Sequence, residues 1–86
     1  MGKYRIVIKK SAAGEIEKIQ KKDRIRIVEK IRSLSGDPHP SGSKKLSGQD
    51  KYRIRQGSYR ILYQVIDGEL VINVVKVGHR RDIYKN

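Results

Sequence analysis

Three arginines, Arg53, Arg55 and Arg60, carry the clearest chemical signal of the chain. Arg53 and Arg55 alternate along the strand candidate Tyr52-Arg53-Ile54-Arg55-Gln56, and Arg60 begins the next one, which runs from Tyr59 to Ile66. With Gly57-Ser58 as a two-residue turn, glycine first, Gln56 opposes Tyr59, Arg55 opposes Arg60 and Arg53 opposes Leu62. Opposed residues share a face, so the three guanidinium groups project together. A guanidinium is always charged and grips phosphate through two parallel hydrogen bonds. Like charges set opposite each other are unfavourable in a sheet, and a polyanion bound there would relieve them. A second cluster is Gly78-His79-Arg80-Arg81-Asp82-Ile83-Tyr84, expected to follow the last strand and fold over the rim of the sheet. His79 is the acid/base candidate, because imidazole is the side chain that changes charge nearest neutral pH. Tyr84 can stack on a base, orient a phosphate or donate a proton. On spacing alone this cluster reads more readily as a basic tail anchored by one tyrosine.

These groups need a scaffold. Tyr4, Ile6 and Ile8 alternate with Lys3, Arg5, Val7 and Lys9, which predicts a half-buried strand. Ser11 is the expected N-cap of a first helix, with Ala12, Ala13, Ile16 and Ile19 at helical spacing and Gly14 weakening it. A second helix is expected from about Asp23 to Leu34, with Ile27, Val28, Ile31 and Leu34 on one stripe. The break between them is placed at Lys21-Lys22-Asp23. The Gly-, Pro- and Ser-rich stretch Ser35 to Ser43 reads as a long loop, with His39 an ordinary member of it. Asp67-Gly68 predicts a type I′ hairpin between Ile66 and Glu69. That register sets Leu70, Ile72 and Val74 on the face of Tyr59, Ile61, Tyr63 and Val65. It leaves Val75 and Val77 with Leu62, Gln64, Asn73 and the arginines. The expected fold is α+β: an N-terminal strand, an antiparallel helical hairpin and a three-stranded antiparallel meander forming one sheet, with the helices on one face. Residues 1–86 read as a single domain.

Composition narrows the function classes. Lysines and arginines number 21 against 9 acids, for a formal net charge of +12. The excess is spread through the chain, which suggests a large anionic target such as nucleic acid or an acidic partner. A chain this short buries only roughly 60% of its unfolded surface, so a surface groove is a more reasonable site than a deep cavity. There is no cysteine. Thiolate metal sites and disulfides are excluded, and a cytoplasmic location is expected. The two histidines and scattered carboxylates give no metal signature, and no cofactor is expected. No apolar run approaches a membrane span, and Met1 to Arg5 lacks the apolar core of a signal peptide.

Lys45-Leu46-Ser47-Gly48, Tyr52-Arg53-Ile54-Arg55, Gly57-Ser58-Tyr59-Arg60-Ile61-Leu62-Tyr63 and Val77-Gly78-His79-Arg80-Arg81-Asp82-Ile83-Tyr84 resemble the RelE/ParE superfamily of toxins over nearly the whole chain. The resemblance implies a toxin of a type II toxin-antitoxin system. RelE-type members cleave mRNA in the ribosomal A site, whereas ParE-type members inhibit DNA gyrase and lack the nuclease residues. Arg60, Arg80 and Tyr84 fall at positions of the RelE-type site, with Tyr84 at shorter spacing. Arg53 and Arg55 stand where the best-known members carry lysines. Arginine effectively keeps its proton, so Arg53 and Arg55 are expected to position phosphate, together with Lys45 and Arg81. Arg60 and Arg80 are expected to clamp the phosphorane from outside the hydrophobic core, and His79 or Tyr84 to carry the proton. The implied reaction is metal-independent attack of a 2′-hydroxyl on the adjacent phosphorus. The implied partners are an acidic antitoxin and the ribosome with its mRNA and rRNA. The alternatives are a gyrase inhibitor and an inactive basic RNA-binding module.

Overall fold

The structure, a computed structural model, describes residues 3–46 and 51–79. Among them the elements run β1 (Arg5–Ile8), α1 (Lys10–Glu17), α2 (Lys21–Ser33), β2 (Lys44–Lys45), β3 (Lys51–Gln56), β4 (Tyr59–Ile66) and β5 (Val71–His79). The strands form one sheet in the order β1-β5-β4-β3-β2, with β1 parallel to β5 and the other pairs antiparallel. This is the expected α+β arrangement, with β2 as a short strand that lay unread in the sequence.

Both helices bury a stripe at i, i+4, i+7 spacing: Ala12, Ile16 and Ile19 at the first, Ile27, Ile31 and Leu34 at the second. These side chains pack on Ile54, Ile61, Tyr63, Val65, Ile72, Val74 and Val77 of the sheet. The helix boundaries differ from expectation. Lys9, not Ser11, caps α1, and no side chain bonds to its first turn. The break falls at Lys18 to Gln20, where Lys18 and Ile19 donate to Glu15 and Ile16 carbonyls and close α1 with a tight turn. Lys21-Lys22-Asp23 therefore starts α2, with Asp23 suiting the positive end of the helix dipole. No helix among the described residues is long and apolar enough to cross a membrane.

The β3–β4 hairpin has the expected register: Gln56 pairs with Tyr59, Arg55 with Arg60 and Arg53 with Leu62. Gly57 has φ of +61° while Ser58 stays at negative φ, the pattern of a type II′ turn with glycine first. The β4–β5 connection is not the two-residue turn that Asp67-Gly68 suggested. Asp67–Glu69 form a 3₁₀ turn and Leu70 follows at φ 54°, so Ile66 pairs with Val71. The Asp67 carboxylate is held at 2.6 Å by the Tyr4 hydroxyl, which fastens this turn to the start of the chain's first strand. Ile72 and Val74 still share the core face with Val65 and Tyr63, but Leu70 lies in the turn and is exposed.

The register of β5 then slips. Val74 pairs with Tyr63 but Lys76 pairs with Leu62, which leaves Val75 as an extra residue in a β-bulge. Beyond the bulge every side chain of β5 is on the other face from the one an unbroken strand would give. Val77 therefore faces the core opposite Ile61, not the arginine face as expected. Val77 N–H is held by Glu15 of α1, whose Oε1 accepts at 3.0 Å. That bond covers the edge of β5 where β1 has already ended.

Candidate functional site

From its middle to the β3–β4 turn, the face of the sheet away from the helices carries three rows of opposed residues. Lys51, Gln64 and Asn73 form one, Lys44, Arg53, Leu62 and Lys76 the next, and Arg55, Arg60 and Gly78 the third. Six of these residues are basic and none is acidic. The three sequence-predicted arginines do stand together. Lys44, Lys51 and Lys76 were missed, because Lys44 belongs to a strand hidden in a polar stretch and Lys76 reaches this face only through the bulge. Lys51 was open to recognition: it continues the alternation of Arg53 and Arg55.

The arginines differ in environment. Arg55 is exposed and Arg53 half-buried, whereas Arg60 keeps 6% of its surface accessible. Arg60 is thus buried, against the expectation that it lies outside the core. Leu62 and Gln64 share its strand and face but stay half-buried, so flanking by β3 and β5 does not by itself account for this. Charge held in a low-dielectric setting acts more strongly on an anion brought to it.

Two expected site residues lie on the other face. Lys45 pairs with Tyr52, which shares the helix side with Tyr63, so Lys44 and not Lys45 neighbours Arg53. His79 ends β5 opposite Tyr59, and their rings meet edge-on with centroids 5.8 Å apart. It borders a groove shared with Glu15, Lys18 and Ile19 of the first helical segment. The sheet therefore separates His79 from the arginines. Arg80, Arg81 and Tyr84 lie outside the described residues.

Tyrosines occupy the helix side. Tyr52 and Tyr63 stack with centroids 5.7 Å apart, and His39 tilts against Tyr52 at 4.7 Å. His39 thus does more than an ordinary loop residue, because it lays the 35–43 loop against the sheet. The Tyr63 hydroxyl donates to Pro38 O at 2.8 Å. Burial pushes the Tyr63 phenol above its ordinary range, against a lowering bond from Ser43, with the nearby Tyr52 and Asp37 adding to the rise. Tyr4 is raised by its hydrogen bond to the Asp67 carboxylate. Among the described residues no three His, Cys, Asp or Glu side chains come together as metal ligands.

Residues 6–84 match the family model of the ParE toxin of the type II toxin-antitoxin system parDE. The chain belongs to that family. Within this RelE/ParE superfamily its relatives carry RelE names. A protein of Escherichia coli named as a RelE-like toxin is 33% identical over 86 residues, covering 95% of this chain and 90% of the relative. A free E. coli RelE toxin with two arginine-to-alanine substitutions superposes with a TM-score of 0.80 at 27% identity, over 95% of this chain and 87% of that one. The toxin of an archaeal RelE–RelB complex from Pyrococcus horikoshii gives 0.79 at 28% identity, over 91% and 96%. This chain is therefore a toxin of the type II toxin-antitoxin class, with the RelE fold along most of its length.

Proposed function

We propose that this toxin is a ribosome-dependent endoribonuclease that cuts mRNA in the A site. The observation that carries the reading is the sheet face with Arg53, Arg55 and Arg60 in register, flanked by Lys44, Lys51 and Lys76, with no carboxylate among these paired residues. Such a face suits an RNA backbone, whose phosphates supply most of the binding energy. Kinship with RelE toxins supports the same reading.

In the proposed reaction the RNA 2′-oxygen attacks the adjacent phosphorus, and the bond to the 5′-oxygen breaks. The products are a 2′,3′-cyclic phosphate and a 5′-hydroxyl. The 2′-hydroxyl proton leaves to a base and the departing 5′-oxygen gains one from an acid. Arg60 and Arg80 stabilise the charge on the phosphorane, and Arg53 and Arg55 hold the flanking backbone. The helix-side position of His79 favours Tyr84 over it for proton transfer, and arginines keep their protons at neutral pH. The ribosome presents the substrate, and the free toxin is expected to cut RNA poorly.

The RelE toxin of Pyrococcus horikoshii is paired with RelB. By that analogy this chain has an antitoxin, and the net charge of +12 favours an acidic one. The site of action is the cytoplasm, where ribosomes translate. The match to the ParE family model supports a second reading, inhibition of DNA gyrase. Adding purified chain to a translation reaction and mapping mRNA ends by primer extension separates the two. Cuts within codons in the A site support the nuclease. Intact mRNA with inhibited supercoiling would select the gyrase reading, and neither effect would leave a basic binding module.

A further inference from the structure

The basic surface does not stop at the face of the sheet. β2 pairs with β3 only at Arg53 and Tyr52, so the edge of β3 is open from Ile54 to Gln56. The cause is local. Pro40 to Ser43 form a turn closed by Ser43 N–H on Pro40 O at 3.0 Å, with Gly42 at φ +94°. Continued register would set Gly42 opposite Arg55, but the turn carries the chain away. Leu46 N–H bonds to Lys51 O, so residues 51, 53 and 55 direct their peptide groups towards this edge. The N–H of Arg55 therefore faces a notch of about 300 Å³ lined by Lys30, Ser41, Gly42, Lys44, Arg53, Ile54 and Arg55. Lys30 comes from α2, which packs behind β3. It also borders an adjoining recess with Arg26, Glu29, Ser33 and Gln56. The two recesses share Lys30, which lines the groove at the edge of β3.

We propose that this groove is a second phosphate-binding site, which receives the backbone of single-stranded RNA as it leaves the arginine face. The site would hold one or two phosphates between Lys30 and Lys44, with the Ser41 hydroxyl and the Arg55 N–H as neutral donors. Among the described residues four cations line the notch and no carboxylate does, and Glu29 borders only the adjoining recess. An acidic peptide is the less suitable occupant. Strand addition gains specificity from pockets for alternate side chains, and Ile54 is the one apolar side chain in this lining among the described residues. Arg53 and Arg55 border both the open face and the notch, so one strand can pass from the reacting phosphate to this site without leaving cations. The inference rests on the RNA reading above, but it assigns residues that reading does not use.

The test uses the full chain and a short 2′-O-methyl oligoribonucleotide, which lacks the attacking hydroxyl. Binding is measured against salt for the parent, for Lys30→Gln/Lys44→Gln, and for Lys21→Gln/Lys22→Gln. The last pair removes the same charge from the far end of α2. Each lost phosphate contact should lower the slope of log affinity against log salt by about 0.7. The groove variant should therefore lose up to about 1.4, and the control much less. An equal loss in both variants, or an unchanged slope in the groove variant, overturns the proposal. So does a groove variant that loses affinity only for a polyglutamate peptide. Primer extension on translated mRNA keeps the two readings apart. A lowered slope with uncut mRNA sustains the groove and removes the nuclease, whereas cut mRNA with an unchanged slope removes the groove alone.

Discussion

Arg60→Ala should lower both stability and cleavage, and the two losses can be separated by comparison with Arg55→Ala and Arg60→Lys. Arg60 is 6% exposed and lies between β3 and β5, so its three-carbon stem is packed. Alanine keeps the first of those carbons, so at about 0.8 kcal/mol per buried methylene the two that are lost contribute roughly 1.6 kcal/mol. Removing the charge works the other way, because Arg60 sits directly opposite Arg55 and like charges so placed repel by a few tenths to about 1 kcal/mol. The net expectation is a loss of about 1 kcal/mol. For a domain of this size that lowers Tm by about 4–8 °C. Arg55 is exposed, and Arg55→Ala should melt within a few degrees of the parent. Thermal unfolding followed by circular dichroism measures all three. Cleavage is then read on ribosomes at a temperature where every variant is folded. Loss of one charge-stabilising donor should reduce the rate about 10²–10³-fold in Arg60→Ala. Arg60→Lys should recover most of the stability but little of the rate, because a lysine lacks the two-pronged donor. If Arg60→Ala melts with the parent, the packing argument is wrong. If folded Arg60→Ala cuts at the parent's rate, the phosphorane clamp is wrong.

Four further outcomes follow from particular contacts. Gly14 lies inside α1 and a methyl added there meets nothing within 4 Å, so Gly14→Ala should raise stability by about 0.5–1 kcal/mol in urea unfolding. Glu15→Ala strips the acceptor from Val77 N–H and should cost about 1–3 kcal/mol, whereas Glu15→Gln keeps a carbonyl acceptor and should recover most of it; equal losses would show that the bond is unimportant. The Tyr63 phenol is raised in the folded chain, so its contribution is fully present below the unfolded value of about 10 and declines as pH rises through the folded value. Urea midpoints between pH 9 and pH 11 should fall less steeply in Tyr63→Phe than in the parent. His79→Gln should leave the pH profile of single-turnover cleavage on pre-bound ribosomes unchanged, because the sheet separates it from the arginines, while Tyr84→Phe should suppress cleavage; the reverse pattern would restore His79 as the base.

The parts of the site legible in the sequence are those governed by local rules. The Gly57-Ser58 turn set the register of its hairpin, and with it the grouping of Arg53, Arg55 and Arg60. The helix stripes were legible because 3.6-residue spacing is a property of the helix alone. Other parts depended on contacts between distant residues. Asp67-Gly68 has the composition of a two-residue turn, but the Tyr4 hydroxyl and a 3₁₀ turn give a longer connection. Lys44-Lys45 has no strand signal of its own, and it pairs because β3 offers an edge. The burial of Arg60 was hidden too, because nothing in the alternating pattern sets it apart from the exposed Arg55.

The bulge at Val75 has the largest functional consequence of these long-range effects. An unbroken β5 would turn Val77 outward opposite Arg60 and put His79 on the same face, opposite Ser58. One extra residue reverses both placements and brings Lys76 into the row of Lys44, Arg53 and Leu62. The same slip lets Val77 fill the core and puts its N–H within reach of Glu15. Core packing and site composition are thus coupled through one backbone irregularity. The same slip sets Gly78 opposite Arg60. The cation set of this toxin is therefore specified by the register of β5 as much as by the arginines themselves.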